Sequence, residues 1–248
     1  AFYAYAARGL GGRWAGVSAF IALVAYNALQ FGLIGLLGGV ARGVFGDLGV
    51  TLPWWVWSLA AVLLVGVLGY RRVDLSAKVL VVLVVLEYLI VLVVDIAILH
   101  AGGAKGLSVP LLDPGALFSG SLTVTVLFCL GSFMGFEATT IYAEEARQPD
   151  KTIPCVTVLS VLLLGVFFVV TSWLMVAGVG ANELALSIKA LSDPTQLFFE
   201  LAARYVGGPV PAMAGVLLVS SLFAALCAFH SYIARYSYVA GREGLLPA

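Results

Sequence analysis

Residues 127–148 read LFCLGSFMGFEATTIYAEEARQ. The stretch opens as apolar as a lipid-facing helix, sets Gly131 and Gly135 four residues apart, places Glu137 just behind them and turns openly polar only near Glu144. An acid at the centre of a membrane span costs roughly 2.5 to 3.5 kcal/mol on insertion scales, so such residues face a cavity or a partner. Backbone polar groups at that depth must be hydrogen-bonded, and a non-helical segment is tolerated only where protein or a watery cavity surrounds it. Glycine lowers the penalty for leaving helical geometry, by roughly 1 kcal/mol relative to alanine. Gly131, Ser132, Phe133, Met134, Gly135, Phe136 and Glu137 therefore read as an unwound, substrate-contacting link in a broken span. The half-helix ends would aim at a ligand, free amides suiting a carboxylate and free carbonyls an ammonium. Glycines at this spacing also let membrane helices pack closely, which is the competing reading of the same pair.

The rest of the chain supplies the membrane setting. Of its 248 residues, 62% are apolar and only 10% charged, and the mean hydropathy is +1.09, whereas soluble domains use roughly 45 to 50% apolar residues. No charge occurs between Arg13 and Arg42, Asp47 and Arg71, Asp113 and Glu137, Lys151 and Glu183, or Arg204 and Arg235. Each run exceeds the roughly 20 residues a helix needs to cross the hydrocarbon core. A sixth apolar stretch, 79–101, is interrupted only by Glu87, Asp95 and His100. The sequence predicts an all-α integral membrane protein, a single transmembrane region with six spans near 14–40, 53–70, 78–100, 116–143 (broken), 154–180 and 209–236. Pro154 is expected to open the fifth. Barrel strands are excluded, because these runs do not alternate apolar with polar and are about twice a strand's length.

With six alternating spans, nine of the 13 Lys and Arg residues fall on one side and four on the other. The positive-inside rule then places both ends of the chain in the cytoplasm and the protein in the cell membrane. Dispersed basic residues and zero net charge indicate no nucleic-acid partner. Cys129, Cys155 and Cys227 offer no extracellular pair, so three free thiols are expected. No metal-ligand spacing, nucleophile elbow or phosphate loop is present, and no cofactor, metal or enzymatic activity is expected. On the outer side, the stretch after the Asp193-Pro194 turn predicts a short amphipathic surface helix beginning near Thr195. The chain opens AFYAYAARGLGGRW without a methionine and stops just after a span, and is expected to be part of something longer.

Three quoted segments carry a family resemblance: AFYAYAARGLG at 1–11, GFEATTIYAEEARQPDKTIP at 135–154 and SLFAALCAFHSYIARYSYVAGREGLLP at 221–247. Together, and in this order, they resemble the amino acid permeases of the amino acid/polyamine/organocation superfamily. The resemblance implies a transporter whose first ten of twelve spans form two inverted five-helix repeats. The six spans here would be the third to eighth. It also implies a substrate site built by the broken first and sixth helices, of which only the second is in this chain.

Several further residues gain a meaning from that resemblance. Tyr26, Asn27 and Gln30 sit in the otherwise apolar first span; an amide there can simply bond a neighbouring helix, but in the resembling family an asparagine at the point of Asn27 lines the substrate cavity, and Gln30 is a weaker candidate. Glu87 lies nine residues beyond Lys78, about 13 Å along the helix and near mid-membrane. Some cation-transporting relatives carry a lysine at the matching place, in the role of a coupling sodium ion. An acid at that depth must be neutral, paired or hydrated. Small hydroxyl residues on the eighth helix of the family help form an ion site, so Ser220 and Ser221 are candidates beside Glu87, although each also fits plain helix packing. Asp95 is expected to meet water near the outer surface with His100, His230 to be a hydrogen-bonded neutral residue, and Glu144 and Glu145 to form a solvated helix end or a gate. The implied function is secondary transport of amino acids by alternating access, with a proton or a counter-substrate as coupling partner and the lipid bilayer as surroundings. The alternatives are a polyamine or amine permease, and a channel-like or structural membrane subunit.

Overall fold

The computed structural model describes residues 2–71, 77–107, 121–136, 148–191, 194–242 and 244. Regular structure among them is helical: α1 (Phe2–Leu10), α2 (Gly12–Asp47), α3 (Trp54–Tyr70), α4 (Ala77–Ala101), α5 (Leu122–Ser132), α6 (Pro149–Val179), α7 (Leu184–Ala190), α8 (Leu197–Tyr205) and α9 (Val210–Arg242). Among the described residues four stretches are long and apolar enough to cross a membrane, Gly12–Asp47, Val81–Ala101, Asp150–Val179 and Val210–Arg242. The expected second span holds α3, whose 17 residues reach about 26 Å, short of the roughly 30 Å hydrocarbon core. The expected fourth span holds the 11-residue α5. These helices are apolar around their whole circumference, as lipid requires: on α6, Leu162, Leu163 and Val166 are 60–65% exposed.

The fifth expected span begins earlier than Pro154. α6 starts at Pro149, which takes the first helical position, and Pro154 lies inside the helix. Pro149 fits because the amide it lacks would be unbonded there anyway. Pro154 is tolerated only a turn and a half in, where few backbone bonds precede it.

Two compact units divide the chain, Ala1–Glu87 with Ala212–Ala248, and Tyr88–Pro211. In the first, Leu37, Val40 and Ala41 of α2 pack with Ala61 and Val65 of α3 and Leu222 and Leu226 of α9. Small residues set the spacing. A Cβ at Gly38 would sit 2.1 Å from Ser58 Oγ and 2.6 Å from the Trp54 carbonyl oxygen, so α2 and α3 touch through backbone. The 6%-exposed Ser58 donates its hydroxyl to the Ile34 carbonyl at 2.9 Å, which satisfies a polar group that lipid could not. Phe45 stacks on Trp57 with ring centres 4.6 Å apart. On the α9 side, a Cβ at Gly215 would lie 2.8 Å from Val44 Cγ2.

In the second unit, Val94 and Ile98 of α4 pack with Leu174 and Val179 of α6 and with Leu201 and Ala202 of α8. A 3-10 turn, Pro194–Gln196, leads into α8, so the expected surface helix is present where the sequence places it, with Leu201 and Ala202 on its buried stripe. The Tyr205 hydroxyl donates to the Gly178 carbonyl at 2.8 Å, and the Ala104 amide to the Ala177 carbonyl at 2.9 Å. The ends of α4 and α6 are thus held together by backbone as well as side-chain contacts.

Asp95 departs from expectation. It is only 3% exposed, beside the core residue Val94, and accepts a hydrogen bond from Thr171 Oγ1 at 2.7 Å. The α8 layer and α6 cover this part of α4, a packing that no reading of α4 alone reveals.

Candidate functional site

Within Tyr88–Pro211, α5 ends inside apolar sequence. Ser121 caps its start, accepting from the Val124 amide, and the helix runs only to Ser132. The last turn closes by short-range bonds, from the Phe133 amide to the Leu130 carbonyl and from the Met134 amide to the Gly131 carbonyl at 3.1 Å. Gly135 then adopts φ +105, a left-handed conformation that glycine adopts without steric penalty. Ser132 returns its hydroxyl to the Phe128 carbonyl at 2.9 Å, Phe133 meets Phe168 edge to face at 6.0 Å, and Met134 is 44% exposed. No described residue lies within 4 Å of a Cβ built at Gly131 or Gly135, so among the described residues neither glycine serves as a helix-packing notch. Glu137, Glu144 and Glu145 lie outside the described residues.

The other candidates belong to Ala1–Glu87 with Ala212–Ala248. Glu87 of α4 lies beside the side chain of Ser221 on α9, and its Oε1 is buried without a hydrogen-bond partner among the described residues. Ser220 turns back on its own helix and donates to the Leu217 carbonyl at 2.7 Å. Of the two serines, Ser221 is the one beside Glu87, while Ser220 is satisfied within its own helix.

Asn27 donates to the Leu23 carbonyl at 2.8 Å, within its own helix; its amide is thereby occupied on one side and half-buried. Gln30 reaches across to α9, with Nε2 donating to the Leu226 carbonyl at 3.4 Å and Oε1 buried without a partner among the described residues. Tyr26 is 3% exposed and packs against Phe229, Tyr232 and Tyr236, at ring separations of 5.9, 6.2 and 5.4 Å. That aromatic cluster fastens α2 to the last turns of α9. The periodic tyrosines of HSYIARYSY were the available signal for it, one that sequence reasoning left unused. His230 packs on α3, its Nε2 2.8 Å from a Cβ built at Gly69.

Outside the spans, Lys105 bonds to Glu183 between the loops that follow α4 and α6. Both side chains are half exposed or more, and the Lys105 hydrogen bond and charge hold the Glu183 carboxyl below its ordinary range. Cys129 and Cys155 are exposed free thiols and Cys227 is a half-buried one. Among the described residues no three His, Cys, Asp or Glu side chains converge as metal ligands.

Comparison with known proteins gives this geometry a family. The chain matches the family model for amino acid permeases over residues 1–248. It is similar to the low-affinity putrescine importer PlaP of Escherichia coli (strain K12), at 22% identity over 214 residues that cover 84% of this chain and 46% of the importer. The importer of the same name from Escherichia coli O157:H7 matches to the same extent. The chain spans about half the length of the curated relatives it matches. No solved structure matches the chain.

Proposed function

We propose, because the chain belongs to the amino acid permease family, that it forms the middle part of a secondary transporter that moves amino acids across the cytoplasmic membrane by alternating access. The family is one of membrane transporters and not of enzymes. In this reading the chain supplies six spans of a five-plus-five inverted-repeat fold, with both of its ends in the cytoplasm.

The observation that carries the proposal is the end of α5. A helix in lipid that stops at Ser132 and enters a turn with Gly135 at φ +105 interrupts helical geometry inside apolar sequence, as the discontinuous helices that line transporter substrate sites do. Gly131, Ser132, Phe133, Met134, Gly135, Phe136 and Glu137 are the proposed substrate link, with Asn27 as a further contact. Glu87, Ser221 and Ser220 are the proposed coupling group. Glu87 would take up and release a proton as the cavity alternates, driving symport, whereas exchange would need only a second substrate.

A second reading, transport of a polyamine or other amine, is favoured by the name of the putrescine importer that the chain resembles. The two separate in one experiment. Saturable counterflow of a labelled amino acid by the full-length protein in vesicles, challenged with unlabelled amino acids and diamines, supports the first reading if amino acids compete. Competition by diamines alone supports the second, and unsaturable flux makes the protein a channel.

A further inference from the structure

The buried pair Asp95–Thr171 in Tyr88–Pro211 has no part in the transport reading above. Asp95 is 3% exposed. Its Oδ2 accepts from Thr171 at 2.7 Å, and its Oδ1 is buried with no hydrogen-bond partner among the described residues. A carboxylate carries about four lone-pair sites and prefers several donors; this one has a single donor.

Among the described residues no cation pairs with it either. The charged or titratable groups of the elements packed around it face elsewhere. On α8, Glu200 and Arg204 are exposed, Arg204 acts on Glu183, and the Tyr205 hydroxyl is spent on the Gly178 carbonyl. On α6, Asp150, Lys151 and Cys155 are exposed near the helix start, with Lys151 20 residues from Thr171, about 30 Å along the axis. On α4 itself, His100 is exposed, Glu87 lies beside Ser221 and Tyr88 packs on Phe167 at 4.5 Å. An ionised carboxylate buried without a countercharge is costly, whereas a neutral acid with one hydrogen-bonded partner is not.

We infer that the Asp95–Thr171 pair is a proton-binding site. With the proton on Oδ2, the carboxyl donates to Thr171 Oγ1, and the threonine hydroxyl turns to donate to a backbone carbonyl one turn earlier in α6, the bond that membrane threonines commonly make. The same 2.7 Å separation serves both directions. Only Oδ1 is then left over, now as a neutral carbonyl oxygen, the least costly polar atom to leave buried. The proton comes from water and returns to it; no other bond changes.

Infrared spectroscopy of the full chain in lipid vesicles at neutral pH tests this. A carboxylic-acid carbonyl band is expected that disappears in Asp95→Asn, persists in Glu183→Gln, and moves to higher frequency in Thr171→Val, where the acid loses its acceptor. Identical bands in wild type and Asp95→Asn would show an ionised Asp95 and overturn the proposal. Should Asp95→Asn fail to fold, Thr171→Val decides alone: a shifted band supports the site, and an unshifted one sinks it. None of these readings depends on which substrate the protein carries.

Discussion

Ser221 on α9 lies beside Glu87 on α4, so the acid in the middle of α4 has a polar neighbour on a different helix. If this contact belongs to a coupling device, Glu87→Gln should abolish accumulation driven by a pH gradient while leaving exchange at symmetric pH intact. Ser221→Ala, which removes the donor but keeps the acid, should weaken accumulation several-fold without abolishing it. Ser220→Ala should do little, because that hydroxyl is satisfied within its own helix. Loss of both exchange and accumulation in a folded Glu87→Gln protein would instead mark a structural pair.

Among the described residues, Gly38 makes the tightest glycine contact between helices. Its added Cβ would meet a backbone carbonyl at 2.6 Å as well as Ser58 Oγ, so no rotamer change relieves it. Gly38→Ala is expected to destabilise the protein by about 1 to 3 kcal/mol, the usual range for overpacking. The pair Gly38→Ala, Ser58→Ala should recover only part of that loss, since the Trp54 carbonyl remains. Thermal denaturation in detergent measures both, and a neutral Gly38→Ala would mean that α2 and α3 do not touch there.

Gly135 tests the substrate link. At φ +105 any side chain is strained, by an amount on the order of 1 to 2 kcal/mol, while no described residue lies within 4 Å of an added Cβ. Gly135→Ala should therefore lower uptake with modest loss of stability, and Gly135→Leu should abolish substrate binding at similar membrane abundance. Glu137→Gln should alter the rate or pH dependence of uptake more than expression. Unchanged kinetics in Gly135→Leu and Glu137→Gln together would remove the link from the substrate path.

Orientation can be read with thiol labelling after Cys129, Cys155 and Cys227 are replaced by serine. Cysteines at Lys105 and Leu186, both exposed, should react with an impermeant reagent added outside, and one at Asp150 should not. Gly103 is unsuitable, because a Cβ there would lie 2.9 Å from the Ala177 carbonyl oxygen. External labelling at Asp150 would invert the proposed topology.

The Lys105–Glu183 pair makes a pH prediction with a definite sign. Lys105 lowers the Glu183 carboxyl from its ordinary value, so whatever stability the pair adds is present above the ordinary carboxylate range and is lost as pH falls through the folded value. Because the pair is exposed, salt screens it. Glu183→Gln should leave the thermal midpoint nearly unchanged at physiological salt, and the difference from wild type should vanish at low pH.

The apolar runs by themselves determined that the protein is helical, with helices long enough to cross a membrane, because a lipid-facing segment must satisfy its backbone internally and must be apolar all round. The glycines at 131 and 135 likewise marked the place where α5 stops, and the turn residues before Thr195 marked the start of α8, since both are local backbone effects. Only the tertiary structure decided which polar side chains met. A helix that is apolar on every face carries no periodic signal to say which side looks inward, so nothing in α4 alone could show that Glu87 would find Ser221, or that α6 and α8 would bury Asp95 against Thr171. The contact of Gly38 with Ser58 has the same origin: one glycine among the many of α2 becomes indispensable only when another helix lies against it.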